Sequence, residues 1–76
     1  MIQVIYILKI MFQTFDLKNN IVYIDFNDVF NVVPFCFQGF NFNCFSKILF
    51  NNDTEIVIKE DFNLISNLFK EFKKNV

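Results

Sequence analysis

The sequence predicts an α+β fold: an antiparallel sheet of three to four strands with two helices on one face, in the order β-β-(β)-α-β-α. Three observations predict it. Apolar residues alternate along the first dozen positions. A turn-forming stretch, Asp16-Leu17-Lys18-Asn19-Asn20, separates that run from a second alternating run. The chain closes on an apolar stripe at helical spacing, from Phe62 to Phe72. Nothing resembling a linker or an internal repeat interrupts it, so residues 1–76 read as a single domain.

The first element is a strand from Ile2 to Phe12. Ile2, Val4, Tyr6, Leu8, Ile10 and Phe12 occupy the even positions, the period-two signature of a pleated chain. Asp and Asn at 16, 19 and 20 favour a turn, because their side chains bond nearby backbone and tolerate left-handed conformations. Ile21 to Phe26 is the return strand, and parity sets its register. Phe12 opposite Ile24 and Ile10 opposite Phe26 make one face wholly apolar and put Met11 opposite Asp25. A slip of one residue would bring Asp25 onto the apolar face. The buried face is then expected to carry Val4, Tyr6, Leu8, Ile10, Phe12, Val22, Ile24 and Phe26.

Val29 to Gln38 admits two readings. Asp28 can cap a short helical turn that stops before Pro34, or Pro34 to Gln38 can form a short edge strand. Gly39, the single glycine, marks a turn. Phe42 to Phe50 reads as a helix capped by Asn41, with Phe42, Phe45, Ile48 and Leu49 on one side and Asn43, Ser46 and Lys47 on the other. Glu55 to Lys59 alternates as a strand. The last helix buries Phe62, Ile65, Leu68, Phe69 and Phe72, with Leu64 at the margin. Its acids, Glu60 and Asp61, stand at the start and its lysines at the end, as the helix dipole prefers.

Composition narrows the function. A chain of 76 residues hides only about 60% of its unfolded surface, yet 54% of this one is hydrophobic and 13 residues are Phe. That surplus points to an interface. Part of it follows from codon bias, since Phe, Asn, Ile and Lys are abundant while Ala, Arg and Trp are missing, as in an AT-rich genome. A net charge of −1 argues against both a polyanion mimic and a general nucleic-acid binder. The start lacks a basic region and a small-residue cleavage site, so no secretory signal is read. The charge-free run Val29–Ser46 holds too many amides for lipid. The expected setting is the cytoplasm, with no membrane partner.

Candidate chemistry is sparse. Without His there is no Ser-His-Asp or Cys-His pair. Cys36 and Cys44, eight apart, lack the spacing of a zinc site and in a reducing cytoplasm read as small apolar core residues rather than a bridge. Asp53, Glu55, Glu60 and Asp61 do not match a calcium loop and read as a solvated helix start and strand edge. One glycine excludes a phosphate-cradling loop. Asn52-Asp53-Thr54 matches the glycosylation sequon by chance in an Asn-rich chain. Phe35, Phe37, Phe40 and Phe42 read as core rather than as a base-stacking platform, because no cation lies among them.

These readings exclude an enzyme, a metal, a cofactor and a small-molecule substrate. They favour a small binding protein of phage or mobile-element type, an inhibitor or adaptor such as an anti-CRISPR-like anti-defence protein. Its partner would be a larger protein or a protein–nucleic acid complex. A self-associating homo-oligomer is the alternative, and a nucleic-acid contact through Lys70, Lys73 and Lys74 is another. The expected partner surface is the sheet face turned away from the helices, with Ile5, Ile7, Met11, Ile21 and Tyr23, unless Val29 to Gln38 folds across it.

Overall fold

The computed structural model describes residues 11–36 and 44–74. Among them lie five strands and one helix: β1 (Met11–Phe15), β2 (Ile21–Asp25), β3 (Val29–Phe35), β4 (Phe45–Phe50), β5 (Glu55–Asp61) and α1 (Phe62–Lys74), with a 3-10 turn at Phe26–Asp28 between β2 and β3. The strands form two antiparallel sheets, a β1–β2 hairpin and a three-stranded β3-β4-β5 sheet.

This corrects the expected layout of two helices on one sheet of three to four strands. Phe45–Phe50 is a strand rather than part of a helix, and Val29–Phe35 is a full strand, neither a helical turn before Pro34 nor an edge strand that begins at Pro34. The physical reason lies in β4, which sits between β3 and β5 and pairs with both. Ser46 and Ile48 are fully buried on one face, while Phe45, Lys47 and Leu49 alternate onto the other. Apolar residues are so dense here that a short window fits both periods. Ser46 hides the period of two, because a serine reads as an outward position. Its hydroxyl donates to the Glu60 carbonyl at 3.0 Å, which is what allows burial. Asn41, Phe42, Asn43 and Gly39 lie outside the described residues, as does most of the first expected strand with Val4, Tyr6, Leu8 and Ile10.

The hairpin register is the one parity requires, with Phe12 opposite Ile24 and Met11 opposite Asp25. Its turn is held by backbone bonds from Asp16 N–H to the Asn20 carbonyl and from Asn19 N–H to the Asp16 carbonyl, both 3.0 Å. Asn19 takes φ 66°, the left-handed conformation that closes a three-residue loop. The β4–β5 turn repeats the pattern, with Phe50 N–H on the Thr54 carbonyl and Asp53 at φ 69°.

The helix packs on the face that carries Ile48 and Ile58, burying Ile65 and Phe69 and partly covering Phe62 and Phe72. Asp61 caps its start, its carboxylate accepting the Leu64 N–H at 3.0 Å. Leu68, expected in the buried stripe, is 45% exposed and Leu64 50%, so the buried stripe is narrower than the apolar one. Phe26 joins the hairpin to the helix. Its ring centroid lies 5.2 Å from that of Phe12, 5.6 Å from Phe69 and 5.7 Å from Phe72, tilted geometries that aromatic pairs prefer. Thr14, buried in the hairpin, donates to a Glu60 carboxylate oxygen at 3.0 Å, and Asp16 bridges to Ile58. The hairpin thus lies beside β5 as a separate sheet, tied to it by this bridge and the Thr14–Glu60 bond.

Candidate functional site

The hairpin has two unlike faces. Even-numbered residues Phe12, Thr14, Val22 and Ile24 turn inward to the core. Odd-numbered residues turn outward, and nothing among the described residues covers them. Met11 is 51% exposed, Phe15 44%, Ile21 55% and Tyr23 67%. The register sets Phe15 directly opposite Ile21 and Gln13 opposite Tyr23, so these side chains form one contiguous patch. Leu17, 40% exposed, extends it into the turn. Of the expected partner surface, Met11, Ile21 and Tyr23 are brought together, while Ile5 and Ile7 lie outside the described residues. Of the stretch Val29 to Gln38, the expected alternative cover for this face, Val29–Phe35 pairs with β4 instead, and Phe37 and Gln38 lie outside the described residues.

A closely hydrogen-bonded turn presents the patch. Asp16 accepts the backbone N–H groups of Lys18 and Asn20, each at 2.9 Å, and its second oxygen takes the Asn20 side-chain amide at 3.3 Å. These bonds, the Asn20 N–H above all, hold the Asp16 carboxyl below the usual carboxylate range, with partial desolvation opposing them.

The other candidates disperse into structural roles. Glu55 pairs with Lys47 at 3.1 Å, Glu60 accepts Thr14, and Asp61 caps the helix. No group of three metal-ligating side chains converges among the described residues. Lys70, Lys73 and Lys74 are exposed on α1. The Lys73 Nζ sits 5.4 Å from the Phe69 ring centroid, and Lys74 lies 3.9 Å from Glu71. In an open groove lined by Asp28, Phe50, Asn51, Asn52 and Thr54, the Thr54 hydroxyl donates to the Asn52 side-chain oxygen. Lys47, invisible as a neighbour in the sequence, places its Nζ 5.6 Å from the Phe35 ring centroid.

Cys36 and Cys44 are joined by a disulfide, with Cα atoms 4.4 Å apart. This overturns their reading as reduced core residues. They flank the paired residues Phe35 and Phe45, and β3–β4 pairing brings their backbones within bonding reach. Among the described residues no helix is long and apolar enough to cross a membrane. No protein-family model, curated protein or solved structure was found to match the chain.

Proposed function

We propose that this chain is a non-catalytic binding module of the inhibitor or adaptor kind, and that it engages a larger protein through the outer face of the β1–β2 hairpin. One observation carries the reading: Met11, Phe15, Ile21 and Tyr23 form a contiguous exposed apolar patch on a well-bonded hairpin. Small monomers seldom leave such a patch bare, and where they do it is commonly a partner site. The missing His and the dispersed carboxylates support a role without catalysis. The disulfide bears on the compartment. A cytoplasmic setting keeps thiols reduced, so alkylation and mass spectrometry of the chain taken from cells decides between an open pair in the cytoplasm and a closed pair elsewhere.

The test is capture with the tagged chain against variants Ile21→Asp and Tyr23→Asp, with Phe30→Asp as a control at a residue 66% exposed away from the hairpin. The expected result is a protein retained by the parent and by the control but lost with both hairpin variants, each still folded by circular dichroism. Retention by all four chains would move the interface elsewhere.

A further inference from the structure

Among the described residues, the outer edges of β3 and β2 are finished differently. On β3 the edge is blunted at successive positions. A bulge falls between Val29 and Asn31, the Val32 N–H is taken by the Asn31 side chain at 2.9 Å, and Pro34, two residues on, has no N–H. Proteins guard edges in this way against strand addition. On β2 no such device exists. Asp16 N–H bonds the Asn20 carbonyl, so the alternation along the hairpin turns Asn20, Val22 and Ile24 toward β1. Ile21 and Tyr23 then present their backbone N–H and C=O groups outward, where no hydrogen-bond partner meets them among the described residues. The five residues Ile21–Asp25 hold no Lys, Pro, Gly or bulge.

We infer that the β2 edge is a self-association surface, on which a second copy of this chain adds its own β2 antiparallel about a two-fold axis through Val22. An open strand edge is complementary to itself, and a two-fold pair satisfies both edges and leaves none to propagate. The register follows from the side chains. An axis at Val22 sets Ile21 opposite Tyr23 of the second copy, twice, with four N–H···O=C bonds between outward-facing residues. An axis at Tyr23 would instead set Ile21 opposite Asp25. The Val22 axis also places Asp25 beyond the paired stretch, near the uncharged Asn19 of the second copy, so no like charges meet. The product is a four-stranded sheet whose outer face carries two copies of the Met11, Phe15, Ile21 and Tyr23 patch. This goes beyond the binding reading above and needs no larger partner. Pairing of one five-residue edge falls short of the ~1,200–2,000 Å² of a standard interface, so the dimer is weak, with Kd in about the micromolar range or above.

Sedimentation equilibrium of the full chain alone, from about 10 μM to about 1 mM, tests it. The parent is expected to pass from monomer to dimer over that range. Tyr23→Pro removes one outward N–H without touching the β1 ladder, and Ile21→Lys adds an edge charge while keeping every backbone group. Both are expected to raise Kd at least about tenfold with unchanged circular dichroism. In a mixture of isotope-labelled and unlabelled parent chain, a contact between the Val22 Hα protons of the two copies is expected. A parent that stays monomeric at the highest concentration, or a dimer that survives both variants, overturns the inference. Because no partner is present, a monomeric parent that still captures a protein through the hairpin face would sink this inference alone.

Discussion

Leu68 and Phe69 are neighbours in sequence and both belong to the apolar stripe of α1, yet the fold treats them oppositely. Phe69 is 7% exposed and packs on Phe26 at 5.6 Å, whereas Leu68 is 45% exposed. Phe69→Ala removes a buried ring and leaves a cavity, at a cost of about 3–5 kcal/mol. Leu68→Ala removes a side chain that is about half solvated, and alanine favours the helix slightly, so its cost stays under about 1 kcal/mol. Against a total stability of roughly 4–11 kcal/mol for 76 residues, the first change removes from about a quarter to all of it. At about 4–8 °C per kcal/mol for a domain of this size, Phe69→Ala lowers Tm by roughly 12–40 °C and Leu68→Ala by less than about 8 °C. Thermal denaturation followed at 222 nm, with urea titration for any variant that starts partly unfolded, measures both. Equal losses would mean that α1 is rotated about its axis relative to the packing described, and the reasoning from the narrow buried stripe would fail.

Thr14→Val keeps the shape of a 1% exposed residue but leaves Glu60 without a donor at 3.0 Å, and is expected to cost about 1–3 kcal/mol in a urea titration, less when Glu60 is already Gln. Reducing the Cys36–Cys44 bridge, or replacing both residues by Ser, should lower stability by about 2–3 kcal/mol from loop entropy; unaltered unfolding under dithiothreitol would argue against the bridge. Because the Asp16 carboxyl is held below its unfolded value, its contribution to the hairpin is present above the unfolded pKa and lost as pH falls through the lower folded one. An NMR titration should therefore find its midpoint below that of an unperturbed aspartate, and Asp16→Asn should loosen the turn at neutral pH but add nothing below that midpoint. Replacing Lys70, Lys73 and Lys74 by Gln is expected to leave Tm within a few degrees, and a salt-dependent mobility shift of single-stranded DNA by the parent chain would promote the nucleic-acid reading instead.

Local chemistry alone determined the hairpin and the last helix. Asp16, Asn19 and Asn20 specify the turn within five residues, and the parity of Phe12, Ile24 and Asp25 leaves one register in which no charge enters the core. Phe62, Ile65 and Phe69, capped by Asp61, suffice for α1. The same alternation pointed to Met11, Ile21 and Tyr23 as the uncovered face, because a short chain has too few layers to cover both sides of a hairpin. Tertiary structure decided the middle of the chain. Phe45–Phe50 carries apolar residues at both periods, and only strands on either side select the extended form, since Ser46 gains its partner from Glu60 and Ile48 its burial from α1. Leu68 likewise drops out of the core because a helix on a three-stranded sheet has one line of contact, narrower than its apolar stripe. The bond between Cys36 and Cys44 follows from the same pairing: β3 against β4 sets the two backbones 4.4 Å apart, a proximity that eight residues of sequence do not determine, because the intervening chain can close into many shapes and only the ladder beside it selects one.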